Sequence, residues 1–452
     1  MAVKSLDTAP YTSLQGRTDD GKEIKASGRP ITETTVSGLR AHADRLWELV
    51  ANPLPFSEVG TLNDLLRDGM PKLELLRVHV EVPEEQADEQ LPMAKLNIHP
   101  LRLPALRSLV LYRCGVPLAP PLVSHLRRLV MENTLGHTQL LPLTPFLDCL
   151  RYLDCLEELQ LSNCFAPLAE EDCRSPVPSS TSRLMTIVIE EHPSTISQIL
   201  SALIVPARAN VRLKADLRGA TTEQCAAAFM EMLPGDRQCL PILQHVSHLE
   251  VYHPPEACYI VGKTEAKDTI DIELVTDALD RPLLQQVRGE LFEMMIGTVG
   301  DIFPRAPIKS AAFLGDVDYV SPVSWIAGLG CFPKLQHLQV DDVELRGSPQ
   351  KVVAALMAPS PTFPEHPICH LIEHLSLYGD ATSADILERI YQCLKSRKER
   401  GGPAVLRRLD IELYCDTEVV TNAEREHYHK LLSSLAERTV LHIFIEPGRR
   451  SR

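Results

Sequence analysis

The chain has 452 residues, 44% hydrophobic and 23% charged, with 46 Lys and Arg against 60 Asp and Glu and a formal charge of −14. That balance opposes broad binding to nucleic acid or to an anionic membrane, both of which need a basic face, and it leaves room for a basic protein partner. Twelve scattered cysteines without a C-x-x-C pair read as reduced, mostly buried thiols. With no apolar leader and no apolar run of roughly 20 residues, the expectation is an intracellular chain, cytoplasmic or nuclear.

Residues 1–36 are polar, with little periodicity, and read as a poorly ordered segment holding at most a stray strand. Order begins at Ser37. Leu39, Leu46, Trp47 and Val50 fit one helical stripe, whereas Leu46-x-x-Leu49 equally fits a terminal strand. Residues 59–67 read as an amphipathic helix with Leu62, Leu65 and Leu66 inward, ended by Met70-Pro71.

From there one pattern, L-x-x-L-x-L, recurs. Its copies are Leu73-Leu76-Val78, Leu106-Leu109-Leu111, Leu126-Leu129-Met131, Leu156-Leu159-Leu161, Leu184-Ile187-Ile189, Val246-Leu249-Val251, Ile308-Ala311-Phe313, Leu335-Leu338-Val340, Ile372-Leu375-Leu377, Leu406-Leu409-Ile411 and Val440-Ile443-Ile445. Starts at 308, 335, 372, 406 and 440 give intervals of 27, 37, 34 and 34 residues, the self-similarity of a repeat array. Helical periodicity precedes many copies: residues 194–205 (before a degenerate Val211-x-Leu213 strand), 222–233, 283–303, 350–357, 383–398 and 424–438. Over 283–303 the apolar positions are Leu284, Val287, Leu291, Met294 and Met295. Proline-marked stretches at 119–121, 174–182, 254–271 and 358–367 read as inserted loops.

A strand alternates its faces, so the second and third apolar residues of each copy (b and c) point into the core, while the first (a) covers it from the preceding turn. One such unit cannot bury its apolar face alone, so units must stack. The predicted fold is α/β: an irregular leucine-rich-repeat solenoid over residues 37–447, with a curved parallel sheet on the concave face and helices on the convex face, followed by a basic tail at 448–452.

Irregular leucine-rich units with cysteine after the strand, and the run from His42-Ala-Asp-Arg45-Leu-Trp47-Glu-Leu49 to Met70-Pro71-Lys-Leu73-Glu-Leu-Leu76, resemble the fungal F-box and leucine-rich-repeat proteins. The resemblance implies a substrate-recognition array attached to a ubiquitin ligase through an F-box near the N-terminus. No F-box is found in residues 1–40, so direct adaptor binding is not expected.

Motifs for chemistry are weak. Gly262-Lys263-Thr264 suggests a P-loop, but the glycine required five residues before Gly262 is Ala257, and Cys258-Tyr-Ile-Val261 reads as strand; a turn after a short strand is the expectation. His366, Cys369, His370 and His374 are dense, but Pro367 interrupts them and His374 falls on a strand, so no metal site is expected. His427 and His429 diverge on a helix. No G-x-S-x-G, H-E-x-x-H or kinase signature occurs. The reading is a non-enzymatic protein-interaction module with no cofactor, with a structural or regulatory scaffold, or a divergent enzyme, as the alternatives. The acidic stretch 81–89 reads as a solvated loop, and Lys395-Ser-Arg-Lys-Glu-Arg400 as a basic helix end.

The repeat also assigns a binding face. Residues just before b, between b and c, and just after c point away from the core. In the C-terminal half these include His248, Tyr252, His337, Gln339, Asp341, His374, Tyr378, Arg408, Asp410, His442 and Phe444. Several histidines in one register, with tyrosines and an arginine beside them, suit capture of a protein partner by a monomeric array.

Overall fold

The computed structural model describes residues 13–27, 33–81, 94–133, 140–166, 179–254, 256–276, 283–342, 347–381, 385–403, 405–415 and 420–445. The chain is mixed α/β, with largely parallel sheet and helices, and divides into two compact units: residues 1–210 with 234–240, and residues 211–233 with 241–452. The acidic stretch beyond residue 81, most of 174–182 and the basic tail lie outside the described residues.

In unit 1 the strands are β1 (Ser13–Thr18), β2 (Glu23–Ser27), β3 (Leu46–Pro55), β4 (Leu75–Glu81), β5 (Ala94–Lys95), β6 (Ser108–Tyr112), β7 (Cys114–Gly115), β8 (Arg128–Glu132), β9 (Glu158–Ser162), β10 (Ser179–Ser180), β11 (Thr186–Glu190) and β12 (Leu203–Ile204). The helices are α1 (Glu33–Arg40), α2 (Val59–Asp68), α3 (Pro120–Val123), α4 (Leu143–Leu150) and α5 (Pro193–Ser201). Strands β3, β4, β6, β8, β9 and β11 pair in that order, all parallel. Ahead of them, β2 and β1 form an antiparallel hairpin added to β3, so part of the segment expected to be loose is sheet. The two readings left open at residues 46–50 resolve as strand. Residues 119–121, expected as loop, run into the short helix α3.

Unit 2 holds β13 (Asn210–Asp216), α6 (Thr222–Glu231), β14 (Val246–Tyr252), β15 (Ala257–Thr264), β16 (Thr269–Val275), α7 (Leu283–Ile302), β17 (Ser310–Leu314), α8 (Pro322–Gly330), β18 (His337–Asp341), α9 (Gln350–Leu356), β19 (His374–Asp380), α10 (Ile386–Glu399), β20 (Leu406–Cys415), α11 (Asn422–Leu432) and β21 (Ala436–Ile445). Strands β14, β17, β18, β19, β20 and β21 pair in succession, all parallel, and α6 to α11 pack each against the next in chain order. Local signals set the helix starts: Thr221 with Gln224 and Thr421 with Glu424 form reciprocal capping boxes, and the Ser321 hydroxyl caps α8.

Burial follows the pattern closely. Every a, b and c position of the first ten copies is at most 5% exposed, and each fully buried Leu or Val contributes about 1.5–3 kcal/mol.

Four expectations are corrected in unit 2. Residues 254–271 are not an inserted loop. Most of them form β15 and the start of β16, an antiparallel meander inserted between β14 and β13. Gly262-Lys263-Thr264 is consequently the end of a strand rather than a turn. Gly262 is required there because a Cβ would lie 2.8 Å from Val246 Cγ2 and 2.9 Å from Ile270 Cγ2. Helix α8 has no counterpart in the expected set, since its Pro and glycines suppress helical signal. Yet Trp325 is fully buried, and Gly328 admits close approach to α7, where a Cβ would stand 2.6 Å from the Ile296 carbonyl oxygen. The last copy is misplaced: α11 stops at Leu432, the strand starts at Ala436, and Leu409 and Ile411 lie opposite Thr439 and Leu441, not Ile443 and Ile445.

Candidate functional site

In unit 2 the outward face of the sheet lies opposite the buried a, b and c residues. Its rows can be read across the strands from the backbone register. The first row runs His248, Ser310, His337, His374, Arg408, Arg438. The middle row is Glu250, Ala312, Gln339, Ser376, Asp410, Val440, and the third is Tyr252, Leu314, Asp341, Tyr378, Glu412, His442. The sequence-derived rows hold strand for strand from β14 to β20. At β21 they do not. His442 stands beside Glu412 rather than Arg408, and Phe444 beside Tyr414 rather than Asp410, because the true register is displaced by four residues. Four is an even number, so both side chains keep their face.

Neighbouring strands lie about 4.8 Å apart, close enough for side-chain ladders. The rings of His337 and His374 approach with centroids 4.2 Å apart. Partial desolvation by its strand neighbours, reinforced by His374, holds the His337 imidazole below its ordinary value although the residue stays exposed. Arg408 Nε donates to Asp410 Oδ2 at 2.7 Å, and Ser376 Oγ donates to the same oxygen at 3.4 Å. Asp410 is buried, and its other carboxylate oxygen meets no hydrogen-bond partner among the described residues. Burial, reinforced by Glu412, pushes the Asp341 carboxyl up, and burial likewise raises the Tyr378 phenol. Tyr252 stacks on Tyr259 at 6.1 Å, and Phe444 on Tyr414 at 5.0 Å. Tyr414 and Arg438 belong to this face and were missed, the first because it lies beyond c, the second because of the displaced register. His248, His337, Arg408, His442 and Phe444 are exposed; Tyr252, Gln339, Asp341, His374 and Tyr378 are half-buried.

Unit 1 carries its own outward rows: Ser108, Arg128, Glu158 and Thr186, then His79, Tyr112, Glu132, Ser162 and Glu190. Arg128 Nε is 2.9 Å from Glu158 Oε2, directly across the strands.

The other candidates disperse. His374 lies on the outward face with His337, whereas His366 and His370 stack on each other at 4.9 Å. The Cys369 thiol is buried, donates to the Leu329 carbonyl oxygen, and is pushed up to about 12 by burial, the opposite of a metal-ready thiolate. His427 and His429 are exposed on α11. Arg397, within the stretch read as a basic helix end, is buried and donates to the carbonyl oxygens of Leu356, Ile368 and Cys369.

In unit 1 an apolar hollow of about 300 Å³ is floored by Phe146 and Phe165, with Lys95 as its charged lining residue. In unit 2 a wider acidic one, about 780 Å³, is lined by Glu223, Glu290 and Glu293. The Glu293 carboxylate is already engaged by the Ser321 N–H and the Ser324 hydroxyl. His253, held down to about 3 by burial and by Arg288, stacks on Phe292 inside the core. Among the described residues no helix is long and apolar enough to cross a membrane. Neither a family model nor a curated protein matches the chain.

Proposed function

We propose that this protein is a non-enzymatic recognition module, an irregular leucine-rich-repeat solenoid that captures a protein partner on the outward sheet face of unit 2. The observation that carries this reading is the ladder itself. From β14 to β20, three rows of mixed His, Arg, Tyr, Asp and Gln side chains stand in register on the face opposite the core. Tyr and Arg are frequent energetic anchors of interfaces. The buried a, b and c positions, the consecutive parallel pairings and the helices packed in chain order support the solenoid.

The test is affinity capture with mass spectrometry, comparing the wild type with Tyr378→Ala/Arg408→Ala. The expected result is loss of the captured partner with an unchanged circular dichroism spectrum. An unchanged set of captured proteins would place recognition elsewhere.

The resemblance to F-box receptors makes substrate recognition for a ubiquitin ligase one form of this function. A structural or regulatory scaffold is the other. Direct co-purification of a ligase adaptor separates them, and the scaffold is favoured if no adaptor binds. The reading requires no metal or cofactor.

A further inference from the structure

Strand β20 has a neighbour on both sides, whereas β21 pairs with β20 alone among the described residues. The burial changes accordingly. Leu409, Ile411 and Leu413 are fully buried, but the residues level with them on β21, Thr439, Leu441 and Ile443, are half-buried, and Ile445 is 50% exposed. Helix α11 offers little cover, since Leu432 is its one buried residue. Strand β21 is ten residues long, with no proline to block pairing. Such an edge is a template for another strand, and a repeat array needs something to cover its last apolar face.

The residues of β21 select the occupant. In antiparallel pairing, inward residues must meet inward residues, so the pairing can shift only in steps that preserve the face. With a two-fold axis at Leu441, that residue meets its own copy and Thr439 meets Ile443, which continues the apolar layer. On the outward face Val440 meets His442, and Arg438 meets Phe444, a guanidinium against an aromatic ring. Moving the axis to Val440 sets Arg438 against His442; moving it to His442 sets two imidazoles against each other. Both neighbouring registers therefore oppose cationic or protonatable groups, and the one centred on Leu441 does not. An axis normal to the sheet also leaves the helices of both copies on one side, as an isologous dimer requires.

We infer that β21 is a self-association edge. Two copies of this chain join through antiparallel Ala436–Ile445 strands about Leu441, in place of the monomer expected from the sequence. This interface takes up Arg438, His442 and Phe444 at the end of the outward face, and it does not rest on the partner-binding reading of β14 to β20.

Light scattering coupled to size exclusion on the full chain, at micromolar concentration, should give the mass of a dimer. Leu441→Lys/Ile443→Lys should give a monomer. Because that variant could disturb β21, Leu441→Cys provides an independent test. In the proposed register the two Leu441 Cα atoms lie about 4.5–5.5 Å apart, within disulfide reach. Mild oxidation should therefore yield a covalent dimer of Leu441→Cys. It should yield none from Glu437→Cys or from the wild type, whose exposed Cys331 serves as the internal control. A monomeric wild type together with no cross-link at position 441 would overturn the inference. So would open-ended oligomers, or equal cross-linking through position 437.

Discussion

The Glu191 carboxylate accepts the backbone N–H of Cys164 at 2.5 Å, and the Cys164 thiol donates to the carbonyl oxygen of Met131 on the neighbouring strand at 3.1 Å. All three residues are buried. This is what a cysteine after the strand does in unit 1: Cys114 makes the same reach to Val78 O, at 3.9 Å. The residue before each cysteine, Arg113 or Asn163, has a positive φ of 58° or 52°, a turn that swings the thiol back under the sheet.

Burial raises the Glu191 carboxyl to about 7, only partly opposed by its backbone hydrogen bonds from Cys164 and Phe165. The native state thus holds a proton that the unfolded chain, titrating near 4.5, has released. The associated stability is fully present below about pH 4.5 and is lost as pH rises through 7. Between pH 5.5 and 8.5 urea unfolding should show a loss of about 2 kcal/mol from this group. Glu191→Gln should flatten the slope. An equal slope in the variant would assign the effect to other groups.

Arg397 donates to three carbonyl oxygens at 2.7–2.9 Å and is 4% exposed. One of them, Leu356, is the last residue of α9, where helix carbonyls lack internal partners. Arg397→Met should strand the Leu356 and Ile368 oxygens, Cys369 keeping the Ile372 N–H, and cost about 3 kcal/mol in chemical denaturation. Arg397→Lys should recover only part of the loss, because one ammonium cannot reproduce the planar fork.

The His337–His374 contact gives a second titration. The folded value of His337 is lowered, so its contribution to stability is present above the ordinary histidine value and is lost as pH falls below it. Burial is the larger cause, and the neighbouring imidazole the next. His374→Gln should therefore move the His337 midpoint part of the way back up, read from its Hε1 proton shift. An unmoved midpoint would take the effect away from His374 and leave it to burial with the charges of His248 and Arg407.

The core was legible because burial at a, b and c repeats with the two-residue period of a strand. Leu109 and Leu111, or Leu375 and Leu377, announce their face without help from distant contacts. The same arithmetic placed Ser310, His337, His374 and Arg408 in one row. It failed where the chain kept the geometry but not the residue types. Strand β16 presents Ile270, Ile272 and Leu274 without the preceding turn, and α8 is written in Pro, Gly and Trp. What Asp410 and Arg397 do depends on atoms brought together from separate elements, and no local pattern carries that.

The last copy shows how an apolar triplet can mislead. Val440, Ile443 and Ile445 match the pattern, yet the b position opposite Leu409 belongs to Thr439. The Thr439 hydroxyl oxygen is buried and meets no hydrogen-bond partner among the described residues. Replacing it with an apolar group of the same shape removes an unmet desolvation cost, so Thr439→Val should stabilise by about 1 kcal/mol. Were Ile443 in the b position, residue 439 would precede the inward set and the substitution would be close to neutral. A rise in the urea midpoint with an unchanged slope therefore supports the register; no rise would return the strand to the alignment its sequence suggests.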